Sequence, residues 1–88
     1  MITIYVIQSI DTDKLYVGMT GDLTNRLKEH NAGKSKYTAS FKPWKIIYTE
    51  TAKDFKAARK REIYLKSTAG KKFIQKILNG GKMGSLSA

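Results

Sequence analysis

The chain predicts an α+β domain on a three-stranded antiparallel sheet opened by a β-hairpin, with about three helices packed around it. Three observations carry this: a β-branched and aromatic hairpin at the start, a third strand-like run near the middle, and helical periodicity in the segments that follow each. Ile2 to Gln8 is rich in strand formers, Ser9 to Asp13 has turn chemistry, and Lys14 to Gly18 is strand-like again. Asp22 is placed to cap a helix in which Leu23, Arg26, Leu27 and His30 recur at i, i+3, i+4 and i+7, and Asn31 with Gly33 supplies the stop. Lys34 to Pro43 is expected to be loop. It interleaves Lys34, Lys36 and Lys42 with Tyr37 and Phe41, a mixture suited to phosphates and to the faces of bases or sugars. Trp44 to Glu50 reads as the third strand. Asp54 to Ser67 reads as a cationic helix, and Lys71 to Asn79 as a last helix with Phe73, Ile74, Ile77 and Leu78 on one face. No repeat or long linker divides the chain, so residues 1–79 form one domain and residues 80–88 a flexible C-terminal tail.

At 88 residues there is room for one modest core and no separate substrate domain. Trp44, Tyr48, Phe55, Tyr64 and Phe73 are expected to fill that core or its rim. The absence of cysteine rules out disulfides, a disulfide-linked partner and thiolate metal sites. No run approaches the roughly 18 apolar residues of a membrane span. The first residues are strand-like rather than leader-like, and a cytoplasmic location is expected.

Charge is the strongest compositional signal. The net charge is +10, yet residues 1–33 hold only Lys14, Arg26 and Lys28 against Asp11, Asp13, Asp22 and Glu29, so they carry −1 and the remainder +11. A field this one-sided attracts a polyanion by counterion release and by steering, and nucleic acid is the expected partner. A merely solvated basic face is the plainer alternative.

Against that background one residue is out of place. Helical periodicity puts Glu62 between Phe55 on one side and Ala58 and Leu65 on the other, facing the core. A desolvated carboxylate must be paired, protonated or bound to a metal. Arg26, Arg59 and Lys66 are the candidate ion-pair partners. Arg26 and His30 flank the Leu23 and Leu27 stripe in the same way, so three polar side chains on two helices can satisfy one another or converge on a phosphate.

Thr3-Ile4-Tyr5, then Tyr16-Val17-Gly18, then Arg26, His30 and Glu62 on successive helices resemble the GIY-YIG nuclease family. The resemblance spans about residues 2 to 78. Leu27 to Lys34, Lys36-Tyr37-Thr38 and Lys60-Arg61-Glu62 look like the small single-domain bacterial members related to the excision-repair nuclease module. Thr3 stands where the first tripeptide has glycine, and Val17 where the second has isoleucine; neither change removes a reactive group.

The resemblance implies hydrolysis of phosphodiester bonds assisted by one divalent metal, Mg²⁺ with Mn²⁺ as a substitute. Glu62 would be its protein ligand, Arg26 would bind the scissile phosphate, and Tyr5 or Tyr16 would take the proton of the attacking water, with His30 as orienter or relay. The order of these duties among Tyr5, Tyr16 and His30 stays open. Lys34, Lys36, Tyr37, Lys42, Arg59 and Lys60 are the candidate nucleic-acid contacts. DNA is the expected substrate, with structure-selective cutting in repair or recombination as the role. So small a domain also suits a protein partner that supplies specificity. The alternatives are a catalytically idle nucleic-acid-binding module and a basic protein-interaction adaptor.

Overall fold

The computed structural model describes residues 1–87, with side chains through residue 79. Residues 80–88, expected to be a flexible tail, lie outside the side chains described.

Three strands form one antiparallel sheet in the order β2-β1-β3: β1 (Ile2–Ser9), β2 (Leu15–Thr20) and β3 (Trp44–Ala52). The β1–β2 turn is reached through Asp13 at φ 63°, a left-handed conformation that a short polar side chain tolerates. A register shift between Val6 and Ile7 leaves Ile47 of β3 as the extra residue opposite them, since Val6 pairs with Tyr48 and Ile7 with Ile46.

Among the described residues four helices surround the sheet: α1 (Leu23–Asn31), α2 (Lys36–Ala39), α3 (Phe55–Lys66) and α4 (Thr68–Ser87). The first and third begin where a capping aspartate predicts. The carboxylate of Asp22 accepts from Asn25 N, and that of Asp54 from Ala57 N, so each satisfies a backbone donor that the first turn leaves unpaired. Gly33, at φ 80°, follows the end of α1. The segment expected to be loop carries the short helix α2, and the last helix begins three residues earlier than its periodicity indicates. Ser67 ends α3, and its hydroxyl accepts from Gly70 N, so the turn chemistry there starts α4 directly.

β1 is central and buried on both faces, so it sorts the core into two layers. Ile2, Ile4 and Val6 pack with Val17, Ala58, Leu65 and Ile74 under α3 and α4. Tyr5, Ile7 and Trp44 pack with Tyr16, Leu23, Leu27 and Phe41 under α1 and α2. The alternation of strand side chains therefore sends the phenol of Tyr5 to the α1 layer. At Gly70 an added Cβ would run into the backbone of Tyr64 and Leu65, so glycine lets α4 start against α3. Tyr48, Glu50 and Arg61 link β3 to α3: the Tyr48 hydroxyl donates to Glu50 at 3.0 Å and Arg61 Nε donates to the same oxygen at 2.8 Å.

Two aromatics depart from expectation. Trp44 is buried and Tyr48 and Phe73 are half-buried, but Phe55 and Tyr64 are exposed, 61% and 40% respectively. The buried stripe of α3 is narrow, made of Ala58, Glu62 and Leu65, and Phe55 on the first turn lies off it. Tyr64 instead meets the guanidinium of Arg61, 4.8 Å from its ring centroid.

Candidate active site

Tyr5 and Gly18 are opposite each other in the β1–β2 ladder, and Ile7 opposes Tyr16. Cross-strand partners project to the same face, so Tyr5 and Tyr16 share the α1 layer. A Cβ at Gly18 would lie 2.5 Å from Tyr5 Oη and 3.1 Å from the ring of Tyr16. Glycine at this place lets the two phenols lean over β2, their centroids 6.3 Å apart.

His30 comes to them from the last turn of α1. Its side chain is fully buried, its ring centroid is 5.0 Å from that of Tyr16, and its Nε2 is 2.9 Å from Tyr5 Oη. The other nitrogen, Nδ1, is 2.8 Å from Thr38 Oγ1 on α2. The Thr38 hydroxyl donates to the carbonyl of Ser35 at 3.4 Å. With its one proton used there, Thr38 must accept from Nδ1–H, which leaves Nε2 as the acceptor for the Tyr5 hydroxyl. The network thus assigns a chain of donors running from Tyr5 through His30 and Thr38 to Ser35. Trp44 Nε1 donates to the Thr38 carbonyl at 2.8 Å, and the Asn31 amide brackets the Trp44 backbone, accepting from its N–H at 2.6 Å. These bonds hold α2 on the site. No buried side-chain N or O among the described residues lacks a partner.

The titration directions agree with this assignment. Burial first, and the Arg26 charge second, push the His30 pKa below its ordinary value, so the imidazole is neutral at pH 7. Burial also raises Tyr5 above the ordinary tyrosine value, and a hydrogen bond from Arg26 opposes the rise. Arg26 is held above its usual value, first by Glu29, whose carboxylate it meets at 3.0 Å, and then by the nearby phenol of Tyr5. Its guanidinium is one-third exposed, and its described hydrogen bond is to Glu29.

Glu62 enters from α3 with only 8% of its side chain exposed. Its charge acts on the Tyr5 phenol. Its oxygens are engaged by two cations of its own helix, Arg59 Nη1 at 2.7 Å and Lys66 Nζ at 3.4 Å. Arg26, the third candidate partner, pairs with Glu29 instead. Arg59 and Lys66 are 62% and 52% exposed, so both heads are on flexible stems free to move to another anion. Among the described residues no group of three or more His, Cys, Asp and Glu converges. Glu62 alone would face a cation, a donor set that fits Mg²⁺, which keeps most of its waters and takes few protein ligands.

The structure brings Tyr5, Tyr16 and His30 into contact on the α1 layer with Arg26 on the same helix as His30, while the described contacts of Glu62 are with Arg59 and Lys66 on its own helix. Tyr37 stands beside them, half exposed, with its ring centroid 6.2 Å from that of Tyr16. Lys34, Lys36 and Lys42 are exposed on and around α2. Lys60 is not joined to the cluster by any described contact; it borders a shallow depression with Lys53, Asp54 and Lys56. Thr38, Gly18, Glu29 and Asn31 were not singled out from the sequence as site residues. Thr38 lies in the tripeptide Lys36-Tyr37-Thr38, but nothing in its spacing shows that α2 turns its hydroxyl toward His30.

Residues 1–76 match the family model of the GIY-YIG catalytic domain. The chain is 34% identical over 76 residues to a UPF0213 protein of Syntrophus aciditrophicus, covering 84% of this chain and 86% of that one. It is 38% identical over 69 residues to the UPF0213 protein YazA of Bacillus subtilis, covering 77% of this chain and 69% of that one. With a UPF0213 protein of Desulfotalea psychrophila the identity is 37% over 65 residues, which covers 72% of this chain and 58% of that relative. No solved structure matches the chain significantly. No described helix is long and apolar enough to cross a membrane.

Proposed function

Because the chain belongs to the GIY-YIG family, we propose that it is an endonuclease that hydrolyses phosphodiester bonds of DNA with the help of one Mg²⁺ ion, Mn²⁺ serving in its place. The observation that carries the reading is the donor chain from Tyr5 to His30 and Thr38, with Arg26 on the helix that carries His30. Arg26 binds a non-bridging oxygen of the scissile phosphate and stabilises the charge that grows there, a task its planar fork suits. The attacking water approaches Tyr5. As its oxygen bonds to phosphorus, its proton passes to Tyr5 Oη, and Tyr5 releases its own proton to His30 Nε2. The P–O bond to the leaving strand then breaks, its oxygen takes a proton from solvent water, and His30 gives its extra proton back to solvent. This relay never requires a free tyrosinate, which burial of Tyr5 disfavours. Thr38 is a positioning residue that keeps His30 in the accepting tautomer. Tyr16 lines the same side, its ring against those of Tyr5 and His30.

Glu62 would hold the metal, whose charge would offset that of the phosphate oxygens. For that Arg59 and Lys66 must leave the carboxylate, and a DNA backbone offers them phosphates in exchange. Lys34, Lys36 and Lys42 would take further phosphates. The role we infer is structure-selective cutting in repair or recombination, with a partner protein adding specificity.

One observation favours a second reading. Both Glu62 oxygens are already paired, as in an idle module that binds nucleic acid without cutting it. Nicking of plasmid DNA with Mg²⁺ and with chelator separates the two: the nuclease cuts only with metal, and the idle module cuts in neither condition.

A further inference from the structure

A cleft of about 360 Å³ opens beside Tyr16 at the free edge of β2. Its floor is apolar, formed by Val17, Leu65 and Ile74. Tyr16 and Tyr37 line it from the α1 layer, and Lys66 and Lys71 from the helices on the other side. The volume lies in the range of small-ligand sites, roughly 300–1,000 Å³. A flat ligand with an anion attached would meet apolar surface, two phenol rings and two ammonium groups together.

We propose that this cleft takes an unstacked nucleobase of the substrate strand, so that the enzyme selects DNA carrying an unpaired nucleotide next to the cut. The inference rests on the nuclease reading for its ligand and deepens it by naming the substrate class. Three features favour a base over other occupants. Charge complementarity is the first: Lys66 and Lys71 would hold the nucleotide's own phosphates in a chain that is strongly cationic. The second is the pair of aromatic rings, on which any base can stack. The third is continuity, because Tyr16 belongs to both the cleft and the site. Lys66 joins them as well, since its Nζ is 3.4 Å from Glu62 Oε2, and a phosphate at the cleft mouth competes with Glu62 for it. A base within a duplex is excluded unless it leaves its stack and its pair, whereas an unpaired one enters at little cost.

The test measures binding in chelator, where no cutting occurs, by fluorescence anisotropy. The probes are a blunt duplex, the same duplex with one unpaired 2-aminopurine nucleotide, and the same duplex with one unpaired abasic nucleotide. The wild type is expected to bind the 2-aminopurine probe about five- to a hundredfold tighter than the abasic one. Tyr37→Ala should abolish that preference and Tyr37→Phe should keep it; both change a half-exposed side chain, so the fold is not at stake. Equal binding of the 2-aminopurine and abasic probes by the wild type, or an undiminished preference in Tyr37→Ala, overturns the proposal. Adding Mg²⁺ to the same samples reports separately on the nuclease reading, which fails if no probe is cut whatever the binding preference.

Discussion

His30 is the only imidazole in the chain, so any loss of activity that tracks an imidazole belongs to it. In the proposed relay its neutral form accepts the Tyr5 proton, and burial holds its pKa below the ordinary histidine value of about 6.5. The rate should therefore be little affected by histidine titration above pH 7 and should fall as the pH drops below 6.5. His30→Ala should lose that acid limb together with most of the rate, and Thr38→Val should keep a limb while lowering kcat; a pH profile of kcat/KM for the three proteins checks this. The sign for stability is the same. Between the lowered native pKa and the ordinary one the unfolded chain binds the proton and the native chain does not, so stability is full above pH 6.5 and is lost as pH falls through the native value. The meeting of Tyr5, Tyr16 and His30 was legible because each is a reactive side chain at a periodic or tripeptide position. Thr38 was not, because a hydroxyl in a short segment has no periodicity to mark it. Glu62 was legible as an oddity, whereas its pairing with Arg59 and Lys66 rather than Arg26 depends on rotamers that spacing does not determine.

Helix α1 carries both Arg26 and His30, so its first turn sets the position of the proposed phosphate-binding guanidinium. Asp22 holds that turn through Asn25 N. Asp22→Ala should cost about 1 kcal/mol of stability and lower kcat with little change in DNA affinity, as read by thermal melting and steady-state kinetics. The elements themselves followed from pattern: hairpin, third strand and capped helices stand where alternation, turn residues and aspartates put them. α2 escaped because four residues hold about one helical turn, too little for a period. Phe55 and Tyr64 misled because helical spacing says which residues share a face but not how wide the buried stripe is. The cleft at β2 escaped for a different reason, since its walls come from both ends of the chain and meet only through the fold.

Across the whole molecule, the cationic excess lies in the last two-thirds of the chain, which supplies α2, α3 and α4 around a site begun by the first third. DNA affinity should consequently fall steeply with salt. Lys36→Ala should weaken binding to all sequences alike and reduce the slope of log K against log salt by about 1, as measured by titration from low to moderate ionic strength. Binding by charge is only half of the account, and its central claim is that a buried glutamate serves chemistry. The direct measurement is nicking of supercoiled and branched DNA by the wild type and by Glu62→Ala, with Mg²⁺, with Mn²⁺ and with chelator, beside a gel shift of the same proteins. The account predicts that the wild type cuts only with metal, while Glu62→Ala still shifts the DNA and leaves it whole. Cutting by Glu62→Ala at the wild-type rate, or binding without cutting by both proteins on every substrate, would contradict it.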